Sequence, residues 1–527
     1  MNTRWLRSLM LLLPIVSAAA PTMADELQEL RNLRETTIAL VNALVQQGVL
    51  TREKADELIH QAEQAGKNAV DGASSAVEPG VVRVPYIPQV VREQIRDEVK
   101  QEVMDQAQKE HWWQPGALPE WLDRISLLGD TRFRYQADRF PKDSQPNAPP
   151  ELLQLPPLGY NINNTTEARN RLRLRVRFGA AAKVNDKVDV VIRLTTGSAG
   201  TGGDPSTENQ NLGNYNSRST VGFDLAYIGY RPWSWAWFKG GRVGNPFYAP
   251  TTMVWGDDLS LEGAVAGVNP RFFDQHFQPF ATAGIFPILD VEPTPLTSSH
   301  SKWLYGFQVG FNWQLNQIAL WRLGAALYDY RHLEGIPNPT PVSTFYNQTA
   351  APFRQKGNTV FDINALANTQ NGTNNFLFGL DSRFHEANAS TTLDITAFGR
   401  THVVLDAEYV RNLGYNFNEI LMRTGQSVSK QNTGNQARLT VGSTSFDVKN
   451  SWNAYIGYRH VESDAVVDAF TDSDFHLGGT NATGYYMGAR WAFERNTTIG
   501  FRWYSAKQIE GPPLAIDVLQ VDLVAAF

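Results

Sequence analysis

From Ile125 to the C-terminus, stretch after stretch of this chain alternates apolar and polar residues with a period of two. That is the side-chain period of a β-strand whose two faces meet different surroundings. Clear runs are Ile125–Gln136, Ala168–Ala182, Val188–Thr196, Val221–Tyr230, Trp303–Trp313, Leu323–Tyr330, Thr391–Phe398, Val403–Val410, Ala437–Ser443, Trp452–His460, Thr483–Phe493, Thr498–Tyr504 and Ala515–Phe527. Weaker runs are Ala236–Gly244, Gly263–Val268 and Phe277–Phe286. Each is long enough for a tilted strand to cross a bilayer, and together they predict about sixteen strands.

The connectors alternate as well. Short turns sit at Asn185-Asp186, Arg231-Pro232, Leu315-Asn316, Gly399-Arg400 and Arg495-Asn496, between long polar loops at 138–167, 197–218, 332–388, 413–435 and 464–481. A soluble sandwich has no reason for this rhythm, whereas a transmembrane barrel carries turns at one rim and loops at the other. Trp303, Tyr305, Phe307, Val309, Phe311 and Trp313 share one face of one run, opposite Gly306, Gln308, Gly310, Asn312 and Gln314. Aromatic residues at both ends of an apolar stripe form an interfacial girdle, and Trp233, Trp235 and Trp237 repeat the pattern. The expected fold is an all-β transmembrane barrel of about sixteen antiparallel strands.

One strand carries unusual charge. Arg171, Arg173, Arg175 and Arg177 alternate with Leu172, Leu174, Val176 and Phe178. An Arg facing lipid at the midplane costs roughly 2–4 kcal/mol, so the arginines belong on the water-filled side. Arg132 and Arg134 on one neighbouring strand and Arg193 on the other extend this into a basic wall. Guanidinium stays charged and grips carboxylates and phosphates bidentately. The wall therefore predicts an anion or carboxylate preference. The alternative is that acids on adjacent strands, such as Asp130 and Asp189, pair with the arginines and merely stiffen the wall. Inward acids elsewhere, at Asp394, Asp406, Glu408 and Asp522, leave the net selectivity open.

Upstream of the strands the pattern changes. Arg4 and Arg7 precede an apolar stretch, Leu9–Ala20, and a small-residue site at Thr22-Met23-Ala24, which predicts a signal peptide over 1–24. Residues 25–117 read as helices, with Leu27, Leu30, Leu33, Leu40, Leu44 and later Val91, Ile95, Val99 and Val103 at spacings of three and four. One such helix cannot bury its stripe alone, so a periplasmic coiled coil is expected, or a helical hairpin folded against the same chain. The barrel then spans 118–527.

Composition narrows the chemistry. The 527 residues include no cysteine, which removes disulfides, thiolate metal sites and cysteine nucleophiles. A net charge of -6 argues against wholesale binding of nucleic acid. His402 and His460 lie on strands, but no Ser-His-acid spacing stands out, so enzymatic activity is not expected. Gly200–Asp204 has no following helix to cradle a phosphate, and Asp204 with Glu208 is a weak calcium pattern. No cofactor is implied.

The last strand places Leu519, Val521, Leu523 and Ala525 at alternate positions and ends on Phe527. It resembles the terminal assembly signal read by the barrel-assembly machinery of Gram-negative outer membranes. More broadly, the chain resembles the putative porin family that carries a periplasmic coiled coil before its barrel. The resemblance rests on Val81–Pro88, Leu118–Ile125, Gly129–Tyr135, the arginine strand and Gly244–Phe247. It implies an outer-membrane location, lipid around the barrel, passive diffusion of small hydrophilic solutes and a homotrimer. It also implies that the segment 246–262, with Asp257, Asp258 and Glu262, folds into the barrel and narrows it. Those acids opposite the arginines would set a transverse field across the constriction. Two further readings are a channel selective for phosphate or an organic acid, and an envelope tether anchored by the barrel.

Overall fold

The computed structural model describes residues 124–527 apart from 142–143, 145–166, 199, 201, 272–275, 294–299, 340–343 and 367–375. The signal peptide and the helical segment expected over 25–117 lie outside the described residues. The strands are β1 (Ile125–Arg139), β2 (Arg169–Lys183), β3 (Val188–Thr196), β4 (Val221–Trp233), β5 (Ala236–Gly244), β6 (Ser260–Val268), β7 (Phe277–Leu289) and β8 (Lys302–Gln314). They continue as β9 (Ala319–Arg331), β10 (His385–Phe398), β11 (Thr401–Asn412), β12 (Thr433–Gly442), β13 (Trp452–Val461), β14 (Ala482–Glu494), β15 (Thr497–Gln508) and β16 (Ala515–Ala526).

Each strand pairs antiparallel with its sequence neighbours, and β1 pairs with β16, so the sheet closes into a barrel. Closure leaves no edge with unsatisfied N–H and C=O groups, a requirement in lipid. A two-residue strand, Gln210–Asn211, adds to β2 from the β3–β4 loop. Every alternating run in the sequence became one of these strands.

The two faces follow the period of two. On β8, Tyr305, Phe307, Val309 and Trp313 are exposed on the outside, while Lys302, Leu304 and Gln308 are buried inside. On β2, Leu172 and Phe178 are exposed, while Arg173 and Arg175 are buried. Stacked Trp233 and Trp235, 5.2 Å apart, mark the turn rim after β4. Trp313 and Trp321, 6.3 Å apart, do the same at the β8–β9 turn.

The seam is closed by the final residue. The Phe527 N–H donates to the Gly129 carbonyl at 3.0 Å and Gly129 donates back at 3.2 Å. A Cβ at position 129 would lie 2.6 Å from the Phe527 ring, so glycine makes room for it.

The long loops do not all stay outside the barrel. Segments 245–259, 344–366, 376–384 and 462–481 bond to side chains of the barrel strands. Phe247, Met253, Val254 and Trp255 of the first pack with Phe353, Leu380, Phe384 and Val466–Val467 of the others, and with Phe286, Leu304 and Tyr328 of the wall. This apolar core fills part of the lumen, where the expectation was a water-filled channel narrowed by segment 246–262 alone. Loop residues that are apolar and buried need a partner, and the inside of a wide barrel is the volume available to them. One loop also forms a short helix, α1 (Phe417–Thr424), N-capped by Asn416 and C-capped by Gly425 in the left-handed conformation.

Candidate functional site

The arginine wall is built by register. Across β1 and β2, Asp130 faces Arg177, Arg132 faces Arg175, Arg134 faces Arg173 and Gln136 faces Arg171. All project inward. Like charges directly opposite destabilise a sheet unless counter-charges are supplied. The counter-charges come from three sources.

Strand acids supply the first. Asp130 accepts from Arg175 at 2.6 Å, Asp138 from Arg171 at 2.6 Å, and Asp522 on β16 from Arg134 at 2.6 Å. Asp224, on β4, pairs with Arg193. Asp189 makes no ion pair with the arginines among the described residues, contrary to the adjacent-strand expectation. The β3–β4 loop supplies the second source, with Glu208 on Arg177. The inward loops supply the third.

The 245–259 segment crosses the lumen and returns. The Tyr248 N–H donates to Gln308 Oε1 at 2.7 Å, and its hydroxyl donates to Thr392 at 2.6 Å on β10. Arg438 donates to the Pro250 carbonyl at 2.8 Å and Arg459 to the Thr252 hydroxyl at 2.5 Å, tying the segment to β12 and β13. Trp255 then anchors it, 4.9 Å from Tyr328 and 6.2 Å from Phe247. The chain comes back so that Asp258 reaches Arg175 at 2.9 Å and Arg177 at 2.8 Å, with Arg132 at 3.6 Å.

The 462–481 segment adds a second inward support. Asp474 pairs with Arg134 at 3.0 Å and lies 3.5 Å from Arg502. Asp472 lies 3.5 Å from Arg459 and accepts from Thr252 at 3.3 Å, linking the two inward segments. Burial pushes the Asp258 carboxyl up, but Arg132, Arg175 and Arg177 outweigh it and hold it below the usual range. Asp474 is likewise pushed up by burial and held far lower by Arg134 and Arg502. Glu208 goes the other way: burial, then the negative charge of Asp258, raise it to about 7 against the pull of Arg177.

Part of this cluster lines a narrow cavity of about 90 Å³. Four arginines line it (Arg132, Arg438, Arg459, Arg502), against four aspartates (Asp257, Asp258, Asp472, Asp474), with Tyr455, Tyr486 and Tyr504. The charges balance in number. A larger space of about 230 Å³ lies on the other side of Asp257 and Asp258, bounded by Arg177, Arg193 and Asp224.

The three acids expected on the constriction segment therefore separate. Asp258 joins the arginine wall, and Asp257 is exposed to the cavity. Glu262 lies on β6 and pairs with Arg242 at 2.6 Å, so it does not face the wall; the strand begins before it, at Ser260. Sequence reasoning missed Arg438, Arg459 and Arg502, although their alternate strand positions carried the signal. It could not see Asp472 and Asp474, whose loop position says nothing of direction. Among the outlying histidines, His402 is held by Asp394 at 2.7 Å and His460 lies 3.9 Å from Glu462.

A family model described as "Putative porin" matches residues 34–527. The chain belongs to the putative porin family. A closed barrel with an inward segment narrowing its lumen is thus the body of a porin, and the outer membrane is where such a barrel resides. Among solved structures, this porin resembles OprB of Pseudomonas putida, with 12% identity over 77% of this chain and 96% of that one, at a TM-score of 0.45. The outer-membrane channel DcaP of Acinetobacter baumannii matches with 11% identity over 76% and 97%, at 0.39. OmpT of Vibrio cholerae, in trimer form, matches with 10% identity over 77% and 100%, at 0.38. No curated protein matches this porin.

Proposed function

We propose that this porin is a passive channel for small hydrophilic solutes across the outer membrane. The observation that carries the reading is the polar constriction, where inward segments narrow the lumen and four arginines stand among four aspartates. Charged groups fixed around a narrow, low-dielectric passage orient dipolar solutes and repel apolar ones. The even balance of charge supports a weak ion preference. The anion or carboxylate preference expected from the arginine strand reduces to whatever positive charge the neighbouring acids leave uncompensated. Selectivity for phosphate or one organic acid has less support, because most of the forks that would grip such a ligand already grip carboxylates. Surrounding lipid, a homotrimer and assembly by the barrel-assembly machinery complete the proposal, as the resemblance to the family implies. The same holds for a cleaved leader at 1–24 and a periplasmic helical segment at 25–117 before a barrel at 118–527.

The test is conductance of the purified protein in a planar bilayer. Stepwise currents, linear in voltage and carried by many small ions, are expected. A variant lacking 25–117 should conduct as well as the full mature chain if the helical segment serves the envelope and not the pore. Absence of steps under all salts would overturn the channel reading and favour a tether.

A further inference from the structure

The seven arginines of the wall are not equivalent, and their partners sort them. Arg134, Arg171, Arg175, Arg177 and Arg193 each hold a carboxylate within 3.0 Å. Arg173 holds none among the described residues. Its guanidinium donates to Gln136 Oε1 at 3.1 Å and to the Asn209 carbonyl at 3.4 Å, both neutral acceptors. Its Nε is buried without a partner, as are those of the paired Arg171 and Arg175, so the absence of a carboxylate is what sets it apart. Arg132 is nearly the same. Its short bond, 2.7 Å, goes to the neutral Asn209 side chain, and its Nε also has no partner. The nearest carboxylate, Asp258 at 3.6 Å, is engaged more closely by Arg175 and Arg177. Asn209 thus joins two arginines without neutralising either. Both are buried to more than nine-tenths, and Arg132 lines the constriction.

We infer that Arg132 and Arg173, and not the arginine wall as a whole, set the ion preference of this channel, favouring small monovalent anions such as chloride and simple carboxylates. This rests on the channel reading above. A paired arginine presents a dipole to a passing ion, and its field falls off quickly. An arginine bonded only to amides presents a full charge, and surrounding protein screens it less than water would. Neutral acceptors satisfy the hydrogen bonds of the guanidinium and leave its charge for the ion. The remaining five arginines act as fasteners: Arg171 and Arg193 between adjacent wall strands, Arg134 at the barrel seam and to an inward loop, and Arg175 and Arg177 to Asp258 of the inward segment.

Reversal potential in a chloride salt gradient, measured on the full mature protein in planar bilayers, tests this. Wild type should favour chloride over potassium. Arg173→Gln should lower the chloride-to-potassium permeability ratio at least about twofold, the effect of one unit charge about 10 Å away even under the full screening of water. Arg132→Gln, which leaves the Arg173–Gln136 bond in place, must also lower the ratio. Arg173→Lys should retain the wild-type ratio, since it keeps the charge. One control should leave the ratio unchanged: Arg495→Gln, which removes one charge at a turn. Conducting Arg173→Gln and Arg132→Gln channels with wild-type ratios would overturn the inference while leaving the channel reading intact. Loss of conductance in wild type itself would strike the channel reading instead.

Discussion

At the scale of single residues, the site is governed by how many acids each arginine can reach. Asp258 bonds Arg175 and Arg177, with Arg132 farther off at 3.6 Å, and Asp474 faces Arg134 and Arg502, so each sits far on the ionised side through the mildly acidic range. A carboxyl whose pKa is depressed by folding contributes stability above the usual carboxylate range and loses it only as pH falls through its lowered value. Glu208 has the opposite sign. Its raised carboxyl favours the folded state at low pH, and that contribution fades as pH rises toward about 7. Protonating it also leaves Arg177 with less compensation. The chloride preference should therefore rise as pH falls from 8 through about 7. Glu208→Gln should show the raised preference at both ends of that range. A pH-independent reversal potential in wild type would contradict this assignment.

At the scale of elements, the strands were legible in the residue pattern, whereas the inward course of 246–262 was expected only from the family resemblance and that of the other loops not at all. A strand between lipid and water must alternate, so its sequence reports both its length and its faces. Arg171 to Phe178 read correctly for that reason. A loop carries no such period, and the direction it folds is decided by what its apolar residues find. For 245–259 they find Tyr328, Phe286 and Leu304 inside the barrel. Trp255 is 2% exposed in that cluster. Trp255→Ala should remove about 3–5 kcal/mol of packing, the usual cost of emptying a large aromatic site. The strands and the seam stay intact, so the expected outcome is a folded barrel with larger, noisier single-channel currents. Unchanged current amplitude and noise would mean that Trp255 does not hold the constriction.

At the scale of the whole molecule, closure of the barrel is the cooperative event. The last strand must find the first across nearly the entire described chain, with Asp130 to Arg139 paired to Ala526 to Asp517. Phe527 stands at the end of that seam, its ring 6.3 Å from Phe178. Two roles are thus available to it, a packing role and the assembly signal that its position resembles. Deleting Phe527 should lower the yield of folded barrel in cells much more than in refolding of purified chains into lipid vesicles, where no machinery reads a signal. Equal losses in both would assign it to packing alone.

The period of two determined, by itself, that this chain forms a membrane barrel of about sixteen strands with its arginines turned inward, because a misplaced charge in lipid costs several kcal/mol per residue. Tertiary structure alone decided what those arginines do. Asp474 comes from a loop 340 positions from its partner Arg134, and Glu208 and Asp258 come from loops 31 and 81 positions from their partner Arg177. Pair energies depend on distances of a few ångströms in a medium of low dielectric, and neither quantity is written along the chain.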